Sequence, residues 1–230
     1  SSVTDCNTDG ILDVCQVTYD WNSNGTIDWC ETLTGRSSLR VRGYVATAWA
    51  LPTVAASTND DGGAGTVSWT LPNATTNNND AQCAYASSSV VAATKYLRTT
   101  GYSFSDLPAG SVVKGIEAEL ANGEVNAFVG APTISRCSLR FADATTSNNM
   151  ASGQAWACCG NACFDASLSS PTFGYFQYFG NADSLWGRTN VSYAQVTNSG
   201  FGVDTVATFP GGGPSTGYCD AVRMRIWYDS

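Results

Sequence analysis

The chain has 230 residues, enough for one mid-sized domain with an appendage and for a sizeable core. Apolar residues make up 43% and charged residues only 13%, about half the usual charged share, so the surface is polar but nearly uncharged and points to an extracellular setting. The net charge is −8, with no cluster of Lys or Arg and no apolar run long enough to span a bilayer; neither a nucleic-acid partner nor a membrane span is expected.

The charge is unevenly placed. Asp5, Asp9, Asp13, Asp20, Asp28 and Glu31 all precede the first basic residue, Arg36. They belong to two related stretches, "DCNTDGILDVC" at 5 to 15 and "DWNSNGTIDWC" at 20 to 30. With an offset of fifteen, Asp5 falls on Asp20, Asn7 on Asn22, Asp9 on Asn24, Gly10 on Gly25, Asp13 on Asp28 and Cys15 on Cys30. Calcium takes six to eight hard oxygen ligands, and a short loop can supply them from alternate positions. Counted from Asp20, the ligands are Asp20, Asn22, Asn24, the Thr26 carbonyl, Asp28 and Glu31, with Gly25 at the sharp turn. Counted from Asp5, they are Asp5, Asn7, Asp9, the Ile11 carbonyl and Asp13, with Gln16 where a bidentate carboxylate is expected. Each loop then sets three carboxylates against one divalent ion. A pair of plain Asx turns is the alternative, but plain turns need neither the repeat nor the oxygen at position 12.

Only Val17, Thr18 and Tyr19 separate the loops, too few for EF-hand helices. The segment instead resembles the thrombospondin type 3 and dockerin-like calcium repeats, with their D-x-N-x-D-G-x-x-D-x-C spacing, over residues 5 to 31. The resemblance implies Ca2+ held by Asp5, Asn7, Asp9, Asp13, Asp20, Asn22, Asn24, Asp28 and Glu31, with cysteines stapling the turns. Dockerin helices are missing, so docking to a cohesin is not implied. The expected organisation is a short irregular calcium-binding repeat segment at 1–35 and a β-sandwich domain at 36–230. No signal peptide opens the sequence, and the expectation is that the numbering starts at a mature N-terminus.

From about Ser38 the pattern has period two. "SLRVRGY" alternates Leu39 and Val41 with arginines, and "GIEAELA" alternates Ile116, Ala118 and Leu120 with Glu117 and Glu119. "RCSLRFA" puts Cys137, Leu139 and Phe141 on one face. "AVRMRIWY" puts Val222, Met224, Ile226 and Tyr228 inward, and Arg223, Arg225 and Trp227 outward. Such segments, followed by Gly, Asn, Ser and Pro turns, predict an all-β, antiparallel sandwich. "STNDDGGAG" and "ATTNNND" read as loops and "FPGGGPSTG" as a long turn; no segment shows a sustained helical period.

"WTLPNATTNNNDAQCAYA", "YLRTTGYSFSDLPAGSVVKGIEAEL", "SLWG", "NSGFGV" and "CDAVRMRIWY" together are similar to a β-sandwich module of phage structural proteins and secreted bacterial surface proteins. The resemblance spans most of 66 to 228. It implies a jelly-roll-like sandwich and no catalytic residues. The cysteine-rich "QAWACCGNACFDASLSS" departs from it and reads as a bridged loop.

Nine cysteines without a histidine favour disulfides over zinc, with an odd one left free or bridged to another chain; spacing leaves the connectivity open. The missing histidine also removes a Ser-His-Asp triad and a Cys-His pair. Glu117 and Glu119 share an outward strand face, which reads as a solvated face rather than a glycosidase pair, and no motif pairs the other carboxylates. Asn24, Asn73 and Asn190 begin N-x-S/T sequons, of which Asn73 and Asn190 are the better acceptors if Asn24 is a ligand. Of the aromatics, "FGYFQYFG" at 173 to 180 falls on both faces of a strand, so that one face is available to another chain. The expected protein is a secreted, non-catalytic structural or surface protein, stabilised by calcium and disulfides. It is expected to form a homo-oligomer by head-to-tail assembly into a filament or surface layer. A carbohydrate-binding or adhesive module, with glycans as partners, is the alternative.

Overall fold

In the computed structural model, the described residues are 44–60, 64–77, 82–125, 131–151, 153 and 175–229, without the side chains of 123–125 and 175. All eleven expected calcium ligands, Asp5 through Glu31, lie outside them, as do "SLRVRG", Trp156 and the cysteine-rich insert.

Tyr44–Ser230 forms one compact unit, an antiparallel β-sandwich. The first sheet contains β1 (Val45–Ala46), β3 (Ala84–Ser88), β6 (Val112–Val125), β8 (Tyr175–Asn181) and β10 (Ser215–Asp229). The second contains β2 (Val54–Thr58), β4 (Val91–Ala93), β5 (Tyr96–Thr100), β7 (Thr133–Arg140) and β9 (Gly202–Pro210). The registers simplify this arrangement. Cys219 pairs with both Ala84 and Asn122, and Tyr228 with both Val45 and Val113, so β1 and β3 lie end to end along one side of β10 and β6 lies along the other. Likewise β4 and β5 form one row along β9, from Val91 opposite Pro210 to Thr100 opposite Gly202. The row kinks at Thr94, whose N–H donates to the Ala207 carbonyl and whose hydroxyl accepts from the Ala207 N–H. Apart from that row, every consecutive strand switches sheets, which is the wrapping of a jelly roll.

The inward positions of the two sheets form one core. Ile116, Leu120, Val222, Met224 and Ile226 come from the first sheet, and Leu97, Ile134, Leu139, Val203 and Phe209 from the second; each is at most 1% exposed. Burying each such side chain contributes about 1.5–3 kcal/mol. Trp186 is fully buried, and its indole N–H donates to the Ile116 carbonyl at 2.8 Å. Gly180 makes room for it: with φ +79°, a Cβ there would collide with the Ile116 carbonyl and the Trp186 ring.

The expected loops are shorter than the sequence suggests. Ser57 and Thr58 belong to β2, Pro72–Thr76 form a 3-10 turn, and Phe209–Pro210 and Ser215–Gly217 extend β9 and β10 towards the glycines between them. A one-turn helix, α1 (Tyr193–Val196), is also present, closed by a capping box between Ser192 and Gln195. The S-x-x-Q spacing of that box was there to be read.

Candidate functional site

The outer face of the first sheet carries a set of polar and aromatic side chains in close contact. Arg223 and Arg225 project outward from β10, and Glu119 and Glu117 from β6 stand directly opposite them. Arg223 bonds the Glu119 carboxylate through both Nε and Nη2, the latter at 2.9 Å. Arg225 Nε donates to Glu117 at 2.8 Å, and the Trp227 indole N–H donates to the same carboxylate oxygen at 3.2 Å. Glu119 is only 1% exposed. The face is therefore not the solvated one expected for Glu117 and Glu119: outward-pointing strands supply an arginine to each carboxylate, and the aromatics close over them.

Those aromatics come from three elements. The Arg225 guanidinium lies 4.6 Å from the Trp49 ring centroid and 4.7 Å from that of Trp227. Arg223 lies 4.9 Å from Trp49 and 5.8 Å from Phe176 of β8. Such cation–ring contacts contribute about 0.5–1 kcal/mol each where solvent reaches them. Tyr178 of β8 packs 6.4 Å from Trp49, is half exposed, and stands opposite Glu119 across the β6–β8 pair. Its own desolvation, then the neighbouring Glu119 charge, push the phenol's pKa up. Trp49 arrives from the segment after β1, fixed by the pairing of Ala50 with Met224. Within "FGYFQYFG" the split between faces is present: Phe176 and Tyr178 point outward while Phe179 is buried.

The second sheet's outer face carries another ionic cluster. Arg98 holds Asp204 through Nε at 2.7 Å and Nη2 at 3.0 Å, and Asp60 through Nη1 at 2.6 Å. Arg140 lies 3.7 Å from Asp204 and 3.8 Å from Asp60. Burial pulls the Arg98 guanidinium down, but the bonds to Asp204 and Asp60 outweigh it and hold the charge firmly. Asp60, mostly exposed, is lowered by the Arg98 bond. Of the other described carboxylates, Asp106 accepts the distant Ala48 N–H, Asp229 lies 3.9 Å from Lys114, and Asp143 closes a local turn by accepting the Thr145 N–H and hydroxyl.

Cys137 and Cys219 are free thiols buried in the core, and desolvation raises both pKa values. One spare thiol was expected, and the core claims two. Seven cysteines remain, an odd number, so bridges within one chain cannot use them all. Asn73 and Asn190 are both exposed. The Asn73 amide oxygen also accepts the Ala55 N–H of β2 at 3.4 Å. Among the described residues no group of three or more His, Cys, Asp or Glu could hold a metal ion, and no helix is long and apolar enough to cross a membrane. No protein-family model, curated protein or solved structure matches the chain.

The signal for this face was present in the sequence. Two outward glutamates two residues apart on one strand, and two outward arginines two residues apart on another, are a ready-made antiparallel pair. Trp49 had no such signal, because its place depends on how the chain returns to β10.

Proposed function

We propose that this chain is a secreted, non-catalytic structural protein that associates with copies of itself into an extracellular filament or surface layer. Calcium bound at Asp5–Asp13 and Asp20–Glu31, together with disulfides, would hold its N-terminal segment. The observation that carries this reading is the aromatic and arginine face of the first sheet. Trp, Tyr and Arg are the residues enriched at the cores of protein interfaces. The carboxylates beside them are tied to arginines, an arrangement suited to holding a surface rather than moving protons.

A carbohydrate-binding face would also use aromatic rings, but here Trp49 and Trp227 stack on guanidinium groups rather than standing clear for a sugar. The half-exposed Tyr178 is the ring best placed for that second reading. Sedimentation velocity and negative-stain microscopy of the full chain in millimolar calcium separate the two. Self-association predicts ordered polymers whose mass grows with concentration. Monomers at every concentration, with retention on an immobilised glycan, would overturn it in favour of the binding module.

A further inference from the structure

We propose that the outer face of the first sheet is the receiving site for the acidic segment 1–35 of a second copy of this chain. The inference rests on the self-association reading and names its contact.

The face shows solvent its cations more than its anions. The side chains of Arg223 and Arg225 are 19% and 28% exposed, while those of Glu119 and Glu117 beneath them are 2% and 13% exposed. Arg225 is the central group. It gives only its Nε to Glu117, and among the described residues no hydrogen bond occupies its two Nη groups. Stacking between Trp49 and Trp227 fixes the plane of that guanidinium, so its remaining donors are ordered before any partner arrives. A planar, ordered guanidinium whose Nη groups have no hydrogen-bond partner among the described residues is suited to bidentate capture of a carboxylate. Phe176 against Arg223 and Tyr178 against Trp49 extend the apolar area of the same face.

The occupant is chosen by charge and ring content. Residues 1–35 carry six carboxylates and no Lys or Arg. Even with one divalent ion in each loop, each loop would keep a net charge of −1. Trp21 and Trp29 lie within the same segment, in a stretch too short to build a core around them. Contact of that segment with the sheet face of a neighbour is heterologous, and repeated it extends without closing.

The test uses the full chain in calcium, followed by sedimentation velocity and hydroxyl-radical labelling of side chains over a concentration series. The expected result is protection of the Trp49, Tyr178 and Trp227 rings that rises together with polymer mass. Arg225→Lys keeps the charge opposite Glu117 but removes the fork, and Trp21→Ala with Trp29→Ala leaves every proposed calcium ligand in place. Each is expected to raise the concentration needed for assembly tenfold or more. If the wild type assembles, but the face stays unprotected or either variant assembles as the wild type does, this contact is wrong while self-association stands. Protection already complete in the monomer also overturns it. A wild type that never assembles removes the self-association reading itself. The labelling pattern is read on the wild type, so the test survives a variant that fails to fold.

Discussion

The Glu119 carboxylate points away from the core and is still 1% exposed, because Arg223, Tyr178 and the surrounding rings enclose it. A buried ion pair is a modest net stabiliser when intact, yet removing one partner strands a charge and costs about 3–5 kcal/mol. Arg223 keeps contact with water, so the lower end applies. Glu119→Ala is expected to destabilise the sandwich by about 3 kcal/mol. The double change with Arg223→Ala should cost less than the two single changes summed, since no unpaired charge then remains. Urea denaturation of the three variants measures this, and strict additivity would show that the pair is not coupled. Asp60 illustrates the opposite case. Its carboxyl is lowered from an ordinary 3.8 by Arg98, so the pairing is intact above that value and is lost as pH falls through the lower folded value. Its exposure makes it a latch on the loop rather than a source of global stability.

At the scale of elements, the edge of β7 shows how the sandwich avoids pairing at random. A free edge is a template for other strands, and here the chain covers its own. Asn149 Oδ1 accepts the Cys137 and Ala151 N–H groups, both at 2.9 Å, and its Nδ2 donates to the Ser135 carbonyl at 2.8 Å. Ser147 Oγ accepts the Leu139 N–H at 2.8 Å. Asn149→Ala removes three bonds and leaves edge groups unpaired, at about 1 kcal/mol per bond. A loss of about 2–3 kcal/mol in thermal or urea unfolding is expected, with greater aggregation on storage. A loss below about 0.5 kcal/mol would mean that water replaces the plug fully. The strands themselves divide by how much of them the sequence revealed. β6, β7 and β10 were legible because their inward residues alternate with charges, and Ile116, Leu139 and Met224 are where period two puts them. β9 was not, because the second sheet is covered on both sides along it. Asp204 and Thr205 are at most 1% exposed beside Val203 and Ala207, which erases the alternation. β1, at two residues, is held by the Thr47 hydroxyl, which accepts the Ile226 N–H, and has no pattern to read. The sheet-face site was half legible: the matching of Glu117 and Glu119 to Arg225 and Arg223 follows from strand pattern, whereas Trp49 and Phe176 join it only through tertiary pairing.

For the molecule as a whole, the proposed calcium segment and the sandwich would draw on different sources of stability. Tyr44–Ser230 has its own core, in which Trp186, Phe201, Phe209 and Ile226 are fully buried. Residues 1–35 are a short stretch with six carboxylates, so on the proposed reading their order would depend on bound calcium and on bridged cysteines. A ligand that binds only the folded form stabilises it by RT ln(1 + [L]/Kd), about 2.7 kcal/mol at a hundred times Kd. Chelation would withdraw that stabilisation from the segment and restore repulsion among its carboxylates, while the sandwich core loses nothing. Limited proteolysis in chelator is therefore expected to cut within residues 1–43 much faster than in millimolar calcium and to leave a resistant fragment that begins near Tyr44. Differential scanning calorimetry should show the main transition at an unchanged temperature in both conditions. If calcium makes no difference to cleavage of the segment, the two loops are plain turns and the metal assignment fails. If instead the main transition falls with chelation, calcium stabilises the sandwich itself, and the division of stability between the two parts is wrong.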